Sequence, residues 1–91
     1  MILKEVSSQF SINIADIKSG KRVRSIMLPR QVAIYLARKM TDLSLVGIGE
    51  KFGGRDHATI IHSIKKIGGE IRLKRELKSA VEKIEQRLKS T

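Results

Sequence analysis

Apolar residues recur along the chain at α-helical spacing, and the apolar–polar alternation typical of half-buried strands is scarce. The first predicted helix spans about residues 2–11, and Asn13 is suited to cap a short helical turn after it. The next helix is predicted to begin at Pro29, because a missing N–H costs nothing in a first turn, and to run to about Met40. A basic loop that ends at Leu28 therefore precedes this helix.

The second half of the chain is predicted to hold three more helices. Ser44 is a candidate N-cap for a short helix through Phe52, and a pair of glycines then interrupts the pattern. A longer helix restarts near Arg55, and a final helix covers about residues 74–90. The glycines at 68–69 either divide these last two helices or bend one continuous helix, and the pattern leaves both alternatives open.

The expected core consists of one apolar stripe from each helix. Such a stripe faces inward in an amphipathic helix, while polar residues cover the opposite face. The predicted inward positions are Leu3, Val6, Phe10, Val32 or Ala33, Leu36, Met40, Leu43, Leu45, Ile48, Ile60, Ile64, Ile67, Ile71, Leu77, Val81 or Ala80, Ile84 and Leu88.

The length of 91 residues suits one compact domain, so a single all-α domain over residues 1–91 is predicted. Cysteine is absent, which excludes disulfides and thiolate metal sites. No apolar run approaches the ~18 residues of a membrane span, and the N-terminus lacks the apolar stretch of a secretory signal. The expectation is a soluble cytoplasmic protein without a membrane partner.

The charge balance indicates the kind of partner. Lys and Arg number 19 against 9 Asp and Glu, and no acidic residue occurs between Asp16 and Asp42. A segment of one sign creates a strong local field and favours a polyanion as partner. Only three aromatic residues are present, too few for the stacking platforms that grip single strands, so a duplex is favoured. The basic residues of the segment are Lys18, Lys21, Arg22, Arg24, Arg30, Arg38 and Lys39.

The segment of about residues 44–67 has the layout of a helix-turn-helix, with a short helix, a glycine turn and a second helix. The second helix opens with five small or polar side chains, from Arg55 to Thr59. A core helix would not use its first turn in this way. A recognition helix does, because its N-terminal residues face base edges in the major groove. The pattern therefore predicts double-stranded DNA as the partner.

One run of the sequence is specific to a known family. Residues 52–62 read FGGRDHATIIH, which closely resembles the signature of the C-terminal DNA-binding domain of the DnaA family, the bacterial chromosomal replication initiators. The segments PRQVA at 29–33 and TDLSL at 41–45 match the same family in order and spacing. The resemblance implies a Trp-repressor-like helical bundle that binds short asymmetric duplex boxes, similar to TTATNCACA, at the replication origin.

The resemblance also implies which side chains approach bases. The family's major-groove positions correspond here to Asp56, His57, Ala58 and Thr59. Asp56 is suited to accept a hydrogen bond from a cytosine amino group, and Thr59 is suited to contact a thymine methyl. The family's basic-loop arginine enters the adjacent minor groove, and the spacing back from residue 29 assigns this role to Arg22.

Further DNA contacts are expected along the backbone of the duplex. Phosphate-contacting positions of the family correspond to Arg30, Gln31, Arg38 and Thr41. The basic loop and the start of the second helix add Lys21, Arg24 and Arg55 as DNA-binding candidates.

The chain departs from the family in three ways. Ala58 stands where the family has threonine, and Val46-Gly47 replaces a frequent Pro-Glu, which leaves Ser44 without a capping-box partner. No Walker A loop is present, so no cofactor is expected in this chain. ATP, and contacts with other initiator protomers, are expected only for domains that family members carry elsewhere, including an upstream AAA+ module.

Other interpretations of the same residues are possible. A stand-alone transcription regulator uses the same fold and dimerises on palindromic operators. A helical adaptor for acidic protein or membrane surfaces would explain the charge but not the polar start of the second helix. No enzyme is expected, and His57 and His62 do not share a helix face that would favour a metal. An alternative role for Asp56 is that of an N-cap only. Arg55 either reads a base, pairs with Glu50 or holds a phosphate, and the sequence leaves these alternatives open.

Overall fold

The computed structural model describes residues 1–90, which form six α-helices and no β-strand. The predicted all-α class with a helix-turn-helix is confirmed. The helices pack into a body of 28 × 28 × 24 Å. Their bounds are α1 (Ile2–Phe10), α2 (Ile14–Lys18), α3 (Arg24–Met40), α4 (Leu45–Lys51), α5 (His57–Leu73) and α6 (Arg75–Lys89).

Side-chain caps define the starts of three helices. Asn13 Oδ1 accepts from the Asp16 N–H at 2.8 Å and begins α2, and Ser44 Oγ accepts from the Gly47 N–H at 3.0 Å and begins α4. Asp56 begins α5 in the same way. Each cap satisfies one of the N–H groups that have no partner in the first turn of a helix. The predicted caps at residues 13 and 44 are therefore confirmed.

The prediction that the third helix begins at Pro29 is wrong. Helix α3 begins at Arg24, where the Val23 carbonyl accepts from the N–H groups of Ile26 and Met27 at 3.0 and 2.9 Å. Pro29 lies one turn further on, and its ring costs the helix one hydrogen bond to the Ser25 carbonyl. Since Pro29 is fully buried, packing offsets that loss. The basic loop is consequently shorter than predicted.

Helix α3 lies at the centre of the fold and packs against α1, α2, α4 and α5. Its residues 29–34 are all buried, which explains why no single apolar stripe describes this helix. Both Val32 and Ala33 face the core, where the pattern predicted one or the other. The buried core residues are Val6, Ile17, Val32, Ala33, Ile34, Leu36, Ala37, Ile48, Phe52, Ile60, Ile67, Leu77, Val81 and Ile84.

The remaining predicted core positions pack at the edge of this cluster. They are partly buried rather than enclosed. These residues are Leu3, Phe10, Met40, Leu43, Leu45, Ile64, Ile71 and Leu88.

Gly68 and Gly69 do not divide the last two helices, and these two helices are not one continuous helix, so both alternatives predicted for the glycines are wrong. They lie inside α5, which continues to Leu73. A Cβ on Gly68 would lie 3.7 Å from the Tyr35 ring, so α5 passes close to α3 at this point. Packing on α3 and α6 outweighs the weak helix propensity of glycine, about 1 kcal/mol per residue. The break between α5 and α6 occurs at Lys74, whose φ of −116° and ψ of 106° are extended.

Candidate nucleic-acid interface

The turn between α4 and α5 sets how the second helix of the helix-turn-helix is presented. Gly53 and Gly54 have φ of +85° and +76°, a region that side chains other than glycine rarely adopt. The Gly49 carbonyl accepts from the N–H groups of Gly54 and Arg55 at 2.9 and 3.0 Å. A Cβ on Gly49 would lie only 2.3 Å from the Arg55 carbonyl oxygen. Three glycines therefore allow the two helices to meet at short range.

The first turn of α5 is directed to solvent. Asp56, His57, Ala58 and Thr59 are all exposed, and the first buried residue of the helix is Ile60. This is the arrangement that the polar opening of the helix predicted. Four adjacent side chains with no role in the core are available to contact a partner.

Asp56 is the N-cap of α5. Its Oδ1 accepts from the Thr59 N–H at 2.8 Å. This backbone hydrogen bond, with a second bond from the Thr59 side chain, holds the pKa of the Asp56 carboxyl below its ordinary value. The capping interpretation is confirmed, and it fixes the carboxylate at the tip of the helix as an ionised acceptor at neutral pH.

Arg55 does not pair with Glu50. Its Nη2 donates to the carbonyl of Ser19, just after the end of α2. Its Nε is buried and has no hydrogen-bond partner within residues 1–90. The guanidinium therefore points back into the protein and joins the helix-turn-helix to the segment that follows α2.

Arg30 reaches the same segment from α3. It is 6% exposed, its Nε donates to the Ile17 carbonyl at 2.7 Å, and its Nη2 is 3.4 Å from the Asp16 carbonyl. Burial, and then the positive charge of Arg55, lower the pKa of the Arg30 guanidinium. Carbonyls at a helix C-terminus lack intrahelical partners and carry partial negative charge, so they accommodate two cations.

Arg30 and Arg55 thus form a two-arginine clamp on the C-terminus of α2. The clamp fixes residues 19–23, the short basic loop that carries Lys21 and Arg22. Both loop side chains are exposed, and Lys21 Nζ lies 2.8 Å from Asp16 Oδ1. An exposed pair of this kind contributes little, so Lys21 is available to other anions.

Arg22 and the Thr59 side of α5 line one cleft of about 230 Å³, whereas Asp56, His57 and Ala58 do not line it. Arg22 and Gly20 form its loop side, Gln31 and Arg30 lie on the α3 side, and Thr59 belongs to the α5 side. Arg24 lines a smaller adjoining cleft of about 120 Å³ together with Arg22 and Gln31. Gln31 is only 6% exposed and belongs to the floor of both clefts.

Three further residues of the larger cleft did not emerge from the sequence. His62, Ser63 and Lys66 line it beside Thr59, and Lys66 also lines the smaller cleft. They lie three, four and seven residues after Thr59, the spacing of one helix face. The signal for these residues in the sequence is a polar stripe at this spacing, which runs beside the apolar stripe of the same helix.

Arg38 and Thr41 lie at the other end of α3, roughly 21 Å and 25 Å from Arg24 at a rise of about 1.5 Å per residue. Arg38 Nη1 donates to the Leu43 carbonyl at 3.1 Å, and Thr41 Oγ1 accepts from the Leu43 N–H at 3.2 Å. Both side chains are exposed and order the connection that leads into α4. They are not part of the Arg22 cleft.

Lys39 of the basic run is engaged elsewhere. Its Nζ lies 2.8 Å from Glu85 Oε2 of α6, and this hydrogen bond raises the pKa of Lys39. Within the described residues 1–90, no group of three His, Cys, Asp or Glu side chains is placed to hold a metal ion. None of the helices in that range has the length and apolar character needed to cross a membrane.

Comparison with known proteins identifies the family. The family described as "Bacterial dnaA protein helix-turn-helix" matches residues 1–67. The chain is 47% identical over 90 residues to the chromosomal replication initiator protein DnaA of Geotalea daltonii, covering 99% of this chain and 20% of that protein. It is 49% identical over 88 residues to the same protein of Citrifermentans bemidjiense, covering 97% of this chain and 19% of the relative.

The chain therefore spans about one fifth of the length of these relatives. The matched residues include α1 to α4, the glycine turn and α5 as far as Ile67, which is the part of α5 that lines the Arg22 cleft. Together, the family match and the relatives show that this chain belongs to the bacterial DnaA helix-turn-helix family.

Proposed function

We propose that this chain binds double-stranded DNA sequence-specifically, as the origin-recognition domain of a DnaA-type replication initiator. The observation that carries the proposal is one cleft shared by two kinds of DNA-reading element. The exposed first turn of α5 borders it at Thr59, and the basic loop borders it at Arg22. Because the tip of α5 and the arginine lie side by side, the helix tip is suited to enter the major groove and the arginine the adjacent minor groove of one duplex.

In the major groove, the tip of α5 supplies the base contacts. Asp56 accepts from a cytosine amino group, because its carboxylate is ionised and exposed at the start of the helix. Ala58 and Thr59 present methyl groups to thymine, and His57 donates to a base or a phosphate. The target is a short asymmetric box similar to TTATNCACA.

In the minor groove, Arg22 reads the A·T-rich half of the box. Narrow A·T tracts concentrate negative potential that attracts arginine. Lys21 and Arg24 flank Arg22 and neutralise neighbouring phosphates. At the start of the helix-turn-helix, Arg38 does the same and the neutral Thr41 hydroxyl contacts a phosphate.

Arg30, Gln31 and Arg55 act mainly from inside the protein. Arg30 and Gln31 are each 6% exposed, and Arg55 is bonded to the Ser19 carbonyl. The two-arginine clamp therefore sets the spacing between the loop and α5, and with it the distance between the two grooves that the domain reads. Catalysis, ATP binding and assembly with other protomers are assigned to other parts of a full-length initiator.

The proposal is tested by measuring binding of labelled duplexes by fluorescence anisotropy. A duplex with the box is expected to bind at least about 10³-fold more tightly than a scrambled duplex of equal length, the lower limit for specific DNA-binding proteins. Equal affinity for both duplexes, and for heparin, would instead identify a general polyanion-binding adaptor.

The salt dependence of box binding is expected to reflect four exposed cations, with Lys21, Arg24 and Arg38 at phosphates and Arg22 in the minor groove. At about 0.9 per neutralised charge, log K is expected to fall with log salt at a slope of about −3.6. Titrations at several salt concentrations measure the slope. Arg38→Ala is expected to reduce it by about one, and Lys39→Ala to leave it unchanged, because two carboxylates of α6, Glu85 and Glu82, lie beside Lys39 and repel a phosphate. A nearly flat slope would exclude the basic run as the DNA-binding face.

Ala58→Thr is expected to change the preferred base at one position of the box and to alter affinity for the best box by less than about 1 kcal/mol. A methyl contact is weaker than a bidentate hydrogen-bonded pair, which discriminates by about 1–3 kcal/mol. Selection from a randomised duplex pool compares both proteins, with Ala15→Thr as the control at an exposed helical alanine of α2. Identical preferences at every position would place Ala58 away from the bases.

A further inference from the structure

A third cleft continues the proposed DNA interface towards the junction of α5 and α6. Arg24 and Leu28 line the small cleft beside Arg22, and the same two residues line a larger cleft of about 650 Å³. This third cleft is also lined by Lys74 and Arg75, at the point where α5 ends and α6 begins. The surface is thus continuous from the tip of α5 through the basic loop to this junction.

The rim of the third cleft is positively charged. Arg24, Lys74 and Arg75 are exposed cations, and Arg24 and Arg75 form no ion pair within residues 1–90. Glu76 also lines the cleft, and Lys74 Nζ lies 3.3 Å from Glu70 Oε1. The Lys74 side chain is 50% exposed, and exposed i, i+4 pairs contribute only about 0.3–0.5 kcal/mol, so Lys74 can exchange partners.

The position of Arg24 connects this rim to the minor-groove contact. Arg24 is two residues beyond Arg22, so their backbones are at most about 7 Å apart. A duplex whose minor groove receives Arg22 therefore presents its next phosphates to Arg24. If the duplex continues in that direction, it passes over the rim that Lys74 and Arg75 complete.

We propose that Lys74 and Arg75 bind phosphates of the duplex outside the box, on the flank next to the A·T half that Arg22 contacts. The inference rests on the proposed function, because it uses the box to orient the duplex. Phosphate contacts carry no sequence information, so this surface adds affinity for flanking DNA of any sequence. The domain thereby senses whether its box continues into duplex on one particular side.

The experiment compares three duplexes that share one box: a minimal duplex, one extended by about ten base pairs at the A·T end, and one extended equally at the other end. Affinities and salt slopes are measured for the unchanged chain, for Lys74→Ala/Arg75→Ala, and for Lys83→Ala/Lys89→Ala. The last variant removes the same charge from exposed positions of α6 that do not line the third cleft.

The unchanged chain is expected to bind the A·T-extended duplex several-fold more tightly than the other two, with a salt slope steeper by about two. Lys74→Ala/Arg75→Ala is expected to lose this preference and keep its affinity for the minimal duplex, and Lys83→Ala/Lys89→Ala to behave like the unchanged chain. A preference that survives in the Lys74→Ala/Arg75→Ala variant, or equal gains from both extensions, would overturn the inference. Box binding to the minimal duplex reports on the proposed function separately.

Discussion

Gly49→Ala is expected to destabilise the domain by about 2–3 kcal/mol and to weaken box binding about tenfold or more. The added Cβ would lie 2.3 Å from the Arg55 carbonyl oxygen, which belongs to the backbone and cannot swing away as a flexible side chain does. The Gly49 carbonyl also holds the turn through the N–H groups of Gly54 and Arg55. Relief of the overlap therefore requires the α4–α5 turn to move, at a cost in the upper range for overpacked sites.

Thermal unfolding and anisotropy with a box duplex measure the two effects. The melting temperature of Gly49→Ala is expected to fall by about 10–20 °C, from 4–8 °C per kcal/mol for a domain of this size. Gly69→Ala is the matched control, because no atom lies within 4 Å of a Cβ at that position of α5. It is expected to leave binding unchanged and to raise stability by up to about 1 kcal/mol. Equal melting temperatures for the two variants would contradict the close approach of α4 and α5.

Local chemistry made much of the fold predictable. The caps at Asn13 and Ser44 bind N–H groups only three residues away, so neighbouring positions of the sequence are enough to predict them. The turn after α4 was equally predictable from the sequence, because consecutive glycines at 53 and 54 indicate a backbone that needs positive φ. Apolar spacing located the long helices for the same reason, since each stripe is a property of one helix.

Long-range packing accounts for what the pattern missed. Pro29 was predicted to begin a helix, yet α3 starts at Arg24 because a fully buried proline is tolerated where other helices surround it. The glycines at 68–69 were predicted to divide α5 from α6 or to bend one continuous helix, yet both lie inside α5, where packing on α3 and α6 maintains the helix. In both cases the deciding partner lies on another helix, which a local pattern does not contain.

In the candidate site too, features set by the local sequence were predictable and long-range contacts were not. The exposed first turn of α5 was predictable, because small or polar residues at 56–59 precede the first core isoleucine. The inward direction of the Arg30 and Arg55 side chains was not predictable, because the carbonyls that bind them belong to residues 16, 17 and 19. These residues lie as many as 36 positions away in the sequence. Charge alone does not distinguish an arginine that contacts solvent from one that holds a helix C-terminus.

Arg22→Ala is expected to relax base preference specifically at the A·T end of the box, with a loss of about tenfold in affinity for the best box. The loop that carries Arg22 lies beside α5, so it cannot enter the major groove that the tip of α5 fills. It can reach the adjacent minor groove, where the base-pair pattern chiefly distinguishes A·T from G·C. An arginine in a narrow A·T tract senses its negative potential, and alanine at this position removes that sensor.

Two matched variants separate the grooves. Lys21→Ala removes a neighbouring cation of the same loop and is expected to weaken all box variants about equally, as loss of a phosphate contact does. His57→Ala changes the exposed tip of α5 and is expected to reduce discrimination only in the other half of the box. A panel of duplexes with single base-pair changes, measured against all three proteins, gives the complete pattern. If Arg22→Ala lowers affinity uniformly across the panel, Arg22 contacts only phosphate, and the domain reads its box from the major groove alone.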